Sequence, residues 1–396
     1  MYVPRTQRPA HRHRPASGLD SAPQHRFPGF RHLPPILFGV TVIAVMLVAW
    51  AALTPSSISN ESSVVPAPVN PSLVRSIAYT VPDGNVDDIY VRAINATGAG
   101  ELLASFPTHF DLHARGAASP SGDRLAVLST TGIDSTYAHM TLIDLPDGQR
   151  TTFERDVDAT VDYLSTLAWS RDGQDVVISH TAPPDSTGRS SVRLLDVHAA
   201  SAVVSPVATF NDVYGAAPVG FSVDGQSLYV VVTDQSGSNL WIVRDGKSQK
   251  VAPLSPGRTR DWSLSPDGSR LAYIEILGAG ERTYAGRTLV IATGAVIDSD
   301  PSTNQLGPAW EPSSQVPDFG GPGGSVQLAQ ASPPASYIVP TSWSPDGTTL
   351  VATIYSASSD LGPSYPATIA LVTSGHRVPI ATAEGAQILG WVRDVN

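Results

Sequence analysis

The chain has 396 residues, 41% of them hydrophobic and only 15% charged, with a formal net charge of −10. It contains no cysteine, which excludes disulfides, thiolate metal sites, a cysteine nucleophile and a lipid-modified cysteine. The acidic balance, and the lack of a basic patch interleaved with aromatics in the body of the chain, argue against nucleic acid as a partner; 33 Gly and 34 Pro point to many tight turns.

Residues 1–35 carry six Arg and one acid, Asp20, with no apolar period. They read as a disordered basic tail. Ile36 to Leu53 follows, 18 uncharged residues between Pro34-Pro35 and Pro55. As a helix this run spans roughly 27 Å, enough for a hydrocarbon core of about 30 Å. Its ten Leu, Ile, Phe and Val residues favour insertion by about 3–6 kcal/mol. The remaining sequence holds 19 basic and 34 acidic residues, so the positive-inside rule places the tail in the cytoplasm and the body outside. Ala49-Trp-Ala51 has the small-x-small pattern of a signal-peptide cleavage site, but the positive region is long for a signal peptide, and an uncleaved signal anchor is the preferred reading. Residues 54–75, rich in Pro, Ser, Val and Asn, form a linker. The expected organisation is a cytoplasmic tail, a single transmembrane helix and an extracytoplasmic body from 76 to 396.

The body repeats one unit. Trp343-Ser-Pro-Asp-Gly347 precedes the apolar run Leu350 to Ile354. Leu264-Ser-Pro-Asp-Gly268, Phe221-Ser-Val-Asp-Gly225, Trp169-Ser-Arg-Asp-Gly173 and Ala118-Ser-Pro-Ser-Gly122 each precede a similar run. Pro sets φ at the first corner, Asp bonds its own backbone, and Gly takes the position with φ > 0. Two β-rich runs around such a turn predict a hairpin, and its recurrence every ~45 residues is the mark of a propeller or solenoid. Each unit divides into four stretches, a to d. Six b stretches can be counted, from Ile77–Val81 to Leu350–Ile354, and six c stretches, including Asp88–Asn95 and Thr288–Thr293. The first unit lacks an a stretch before it, and the last a stretch, Ala386–Val392, has no b after it. A carboxy-terminal strand that completes the first blade repairs both ends at once and leaves no open edge.

The pattern resembles the TolB-like, WD40-like (PD40) β-propeller repeat family, whose repeat has a Trp-Ser-Pro-Asp-Gly turn followed by Ile-Ala-Tyr-like and Ile-Tyr-Val strands. Leu271-Ala-Tyr273, Ile77-Ala-Tyr79 and Asp88-Ile-Tyr-Val91 carry the likeness. The resemblance implies an all-β, six-bladed propeller over residues 76–396. It leaves function open, because such repeats serve scaffolds, peptidase accessory domains and enzymes alike. The first turn departs from the pattern, with Ser121-Gly122-Asp123 in place of Asp-Gly. Residues 301–336 interrupt the rhythm and read as an inserted loop, in which Trp310-Glu-Pro312 is a candidate decayed repeat turn.

In this scheme the a–b and c–d turns lie on one face and the b–c and d–a connections, which are mostly longer, on the other. Function concentrates on long loops held by a rigid scaffold. The candidate ligand- or partner-binding residues are therefore His109, Asp111, Asp162, Tyr163, Asp212, Tyr214, Arg260 and Asp261, at or just before the start of a stretches. For each, the competing reading is a solvated loop residue. No His-Glu-x-x-His is present, Gly246-Lys247-Ser248 lacks the upstream Gly of a phosphate loop, and Gly220-Phe-Ser222-Val-Asp224 lacks the second Gly of a nucleophile elbow. Asp83 to Asp88 is the nearest approach to a calcium loop and falls short of one. No catalytic residue, cofactor or metal is expected. The expected function is a binding or scaffolding module for protein partners at the bacterial cell envelope. The alternatives are a divalent-ion-dependent hydrolase or lactonase-like propeller enzyme with its site at the channel mouth, and an envelope sensor. The sequence sets no oligomeric state.

Overall fold

The computed structural model describes residues 74–394, apart from 108–112, 131–137, 146–149, 154–166, 202, 278–282, 300–304, 323–335, 359–361 and 374–375. The tail, the 36–53 span and nearly all of the linker lie outside the described residues. No helix among the described residues is long and apolar enough to cross a membrane.

Every sheet is antiparallel, and six sheets follow one another along the chain. In the first, the order is Gln387–Val392, Ser76–Asp83, Val86–Ala93, Glu101–Pro107. The carboxy-terminal strand thus supplies the innermost position of the first blade, with Ser76 opposite Val392 and Ile77 opposite Trp391. The remaining blades start from inner strands Arg115–Ala118, Ala168–Trp169, Gly215–Phe221, Thr259–Leu264 and Ser336–Trp343. This is a six-bladed β-propeller, closed as the out-of-phase repeat ends required. Alternation of the strands sends one set of apolar side chains to each neighbouring blade. Leu271 and Tyr273 pack toward the fourth blade, while Ala272 and Ile274 pack the other way. The c strand of the fifth blade runs Thr283–Val290 rather than the expected Thr288–Thr293. The residues after it are consumed by the turn, where Gly294 N–H donates to Val290 O at 2.9 Å.

The recurring Ser-x-Asp-Gly turn is a small hydrogen-bonded joint. In Ser344-Pro-Asp-Gly347 the Gly N–H donates to Ser344 O at 2.8 Å. Ser344 Oγ donates to Asp346 Oδ1 at 2.7 Å, and Asp346 Oδ1 also accepts the Thr348 N–H at 3.0 Å. Ser344 Oγ in turn accepts the Thr349 N–H at 2.9 Å. The joints at Ser170 and Ser265 repeat the same bonds. The atypical first joint keeps them by substitution, with Asp123 accepting from Ser119 Oγ at 2.9 Å and from Ser121 Oγ.

Residues 305–322, within the segment expected as an inserted loop, form a hairpin of Leu306–Ala309 and Asp318–Pro322 that extends the sixth sheet to six strands. Its turn is a genuine repeat joint with altered residues. Ser314 N–H donates to Glu311 O at 3.0 Å, as Gly173 N–H does to Ser170 O at 3.0 Å. Trp310 Nε1 donates to Ser263 O at 3.0 Å, as Trp169 Nε1 does to Ala117 O at 3.0 Å. The hairpin is therefore an inner half-blade, wedged between the fifth and sixth blades. Trp310 and Phe319 pack on Ala272 and Ile274, while Ala309 packs with Ile338, Leu350 and Ala352. Glycine makes room on both sides. A Cβ on Gly286 would lie 2.7 Å from Phe319 Cδ1, and one on Gly320 would overlap Ile338 O.

If the hairpin belongs to the ring, Trp310→Ala should lower the unfolding free energy by about 3–5 kcal/mol, matching Trp169→Ala in urea titrations. A loss within ~0.5 kcal/mol, as for a surface residue, would mean that the hairpin is not an integral part of the ring. The joints have a pH signature of their own. The Asp267, Asp224 and Asp346 carboxyls are held below the usual carboxylate range chiefly by the Ser265, Ser222 and Ser344 hydroxyls that donate to them. A depressed folded-state pKa gives stability that is present above about pH 4, the ordinary carboxylate value, and is lost as pH falls through the folded value. Between pH 6 and pH 3, Asp267→Asn should lose less stability than wild type; parallel acid-unfolding curves would show that the joint carries no such linkage.

Candidate functional site at the channel mouth

The b–c hairpins and d–a connections meet on the face opposite the joints. In the fourth blade the b and c strands, Leu228–Asp234 and Gly237–Arg244, are joined by a tight turn. Asp234 Oδ1 accepts the Ser236 N–H at 2.7 Å and Ser236 Oγ at 2.6 Å, which fixes the turn. Behind it a set of buried hydroxyls ties this hairpin to the next blade. Ser238 Oγ donates to Gly257 O at 3.0 Å and accepts the Thr259 N–H at 3.1 Å. Ser255 Oγ accepts the Gly257 N–H at 2.9 Å and donates to Glu275 Oε1 at 2.6 Å. Arg287 Nε then bonds Glu275 Oε2 at 2.9 Å, and Arg287 Nη1 bonds Asp298 at 2.6 Å. A satisfied buried network of this kind rigidifies its surroundings.

On this scaffold sits a pocket of about 330 Å³, lined by Tyr214, Thr233, Asp234, Gln235, Gly237, Pro256, Gly257 and Arg258. Its size is at the small end of ligand sites. The Tyr214 N–H donates to Thr233 O at 2.8 Å, which sets the ring on the rim, and the side chain is 39% exposed. Gln235 and Arg258 are exposed.

Of the residues expected from sequence, Tyr214 lines this pocket. Arg260 and Asp261 lie beside it on the inner strand Thr259–Leu264, where their side chains pair at 3.0 Å. The Gly307 N–H points at Asp261 Oδ2 from 3.4 Å, so Asp261 also contacts the wedge. Asp212, at the end of Val204–Val213, is exposed and stands 4.0 Å from Arg189. Asp212 and Asp261 both have positive φ, 58° and 52°. Asp245, in the Asp-Gly turn of the joint face, shares this conformation with φ 51°, and Asp tolerates the left-handed region. His109, Asp111, Asp162 and Tyr163 lie outside the described residues. Sequence reasoning missed Asp234, Gln235 and Arg258. The signal for the first two was the Asp234-Gln-Ser-Gly237 turn; nothing local marked Arg258.

Asp87 has the look of a site residue and a structural explanation. It is fully buried, meets His113 Nδ1 at 3.1 Å and accepts the Ala114 N–H. It latches the first blade to the second, as Ser238 latches the fourth to the fifth through Thr259. Asp88 bonds Ser105 Oγ instead, at 2.6 Å, and the two neighbours point apart. Among the described residues no group of three or more His, Asp or Glu is placed to hold a metal ion.

No family model matches the chain, and no curated protein matches it. Solved structures do. A TolB structure from Agrobacterium tumefaciens is 14% identical, with a TM-score of 0.44 over 79% of this chain and 91% of that one. The acylaminoacyl peptidase of Pyrococcus horikoshii is 11% identical, with a TM-score of 0.50 over 77% of this chain and 52% of that one. An oligogalacturonate lyase in complex with manganese is 13% identical, with a TM-score of 0.45 over 81% and 91%. At these identities the likeness concerns fold alone and says nothing about chemistry.

Proposed function

We propose that this protein is an exported, membrane-tethered propeller that binds a protein partner at the bacterial cell envelope through its channel mouth. The observation that carries the reading is the pocket of the fourth blade. Its lining includes Tyr214, Gln235 and Arg258, held on a rigid, hydrogen-bonded frame. None of the three has a side-chain hydrogen bond or ion pair among the described residues. A rigid frame spares the backbone's ordering cost on binding, while Gln235 and Arg258 still give up side-chain rotamer freedom. The tether rests on the 18 uncharged residues Ile36–Leu53 and on the charge asymmetry across them. The enzyme alternative requires clustered carboxylates at the mouth. The sensor alternative requires the 1–35 tail to dock a cytoplasmic protein.

The test is affinity capture from detergent-solubilised envelope with the full chain. Wild type and the joint-face variant Gln226→Ala should retain the same partner, and the mouth variant Tyr214→Ala/Gln235→Ala should lose it by about tenfold or more. Equal recovery by all three would remove the mouth as the binding face, and recovery of no specific protein would remove the reading itself.

A further inference from the structure

We infer that the fourth-blade pocket receives a peptide carboxylate, either an acidic side chain or a carboxy terminus; the inference rests on the protein-binding reading above and gives its partner a chemistry. Among the described residues, the side chains of Arg258, Gln235 and Tyr214 give the pocket three sets of unengaged hydrogen-bond donors. Arg258 brings a guanidinium with five N–H groups, Gln235 an amide NH2 and Tyr214 a hydroxyl, all lining one pocket of about 330 Å³. Its one carboxylate, Asp234, has Oδ1 turned back onto Ser236 N and Oγ at 2.7 and 2.6 Å. A guanidinium without a partner among the described residues is matched in geometry by a carboxylate, which it grips with two parallel N–H bonds.

The other walls sharpen the choice of ligand. Pro256, Gly257 and the Tyr214 ring give an apolar flank for a short aliphatic stem. A neutral saccharide carries no anion for the Arg258 guanidinium to pair with in a bidentate geometry. Outside the basic tail the chain holds 19 basic and 34 acidic residues, so its long-range field does not gather anions. Recognition must come from short-range contact with Arg258, and because Arg258 is exposed it should weaken as salt is raised.

Saturation-transfer NMR on the full chain in detergent micelles tests this with four probes: N-acetyl-Gly-Leu as the free acid, the same dipeptide as its amide, N-acetyl-Gly-Glu-amide, and galacturonate. The free acid and the Glu peptide should give saturation transfer, and the Leu amide should not. Arg258→Gln should weaken both peptide acids by about tenfold, the loss of one charge-assisted contact. Arg258→Lys should retain part of the binding, and Lys247→Gln, on the exposed d strand of the same blade, should change nothing. Equal binding of acid and amide, or acid binding indifferent to Arg258→Gln, overturns the inference. Binding of galacturonate with none of either peptide acid replaces the ligand class with a sugar acid and overturns it as well. Capture of an envelope partner that survives Arg258→Gln leaves the protein-binding reading standing while the carboxylate inference falls. Peptide-acid binding with no captured partner does the opposite: the carboxylate site stands and the protein-binding reading falls.

Discussion

A ring of blades must close, and the whole structure depends on how this one does. The strand Gln387–Val392 pairs with Ser76–Asp83 across more than 300 residues of sequence. The seam is reinforced by Ser76 Oγ donating to Asp394 at 2.5 Å and by Arg393, whose N–H donates to Gly122 O at 2.7 Å. Loop-closure entropy grows only logarithmically with length, so pairing the chain ends costs little more than pairing mid-range segments. What closure gains is the absence of an exposed blade. The sixth and first blades cover each other through Val351, Ile369, Leu371, Ile77, Tyr79 and Trp391. Each apolar face is half a core, and without the seam two of them would meet water.

Most of this was legible in the sequence because the repeat is local. Ser, Asp and Gly each perform a separate backbone task within five residues, so the turn can be read without knowing the fold. The out-of-phase ends then fixed the closure by counting. The wedge was harder to read because its joint keeps the geometry and changes the residues. Glu311 stands where Ser stands elsewhere and Ser314 stands where Gly does, while the surviving mark, Trp310, has a function only through Ser263 of the preceding blade. Gly320, inside the segment that reads as a loop, is a packing requirement, since a Cβ there would overlap Ile338 O.

The candidate site was legible as a face and not as a set of residues. Loop position pointed to the mouth, and Tyr214, Arg260 and Asp261 are there. The pocket itself joins a hairpin near residue 235 to a connection near residue 257, and only the register of the fourth blade brings them together. The two faces also divide the polar residues by use. On the joint face, Ser and Asp side chains are consumed by the backbone. At the mouth, the hydroxyls of Ser238 and Ser255 are consumed by the frame, which leaves Tyr214, Gln235 and Arg258 for something else.

That division is tested most directly by photo-crosslinking in living cells, with p-benzoylphenylalanine placed at Tyr214 on the mouth or at Thr348 on a joint. Discrete protein adducts are predicted from position 214, and none above background from position 348. Adducts formed from position 348 alone would contradict the division of the two faces.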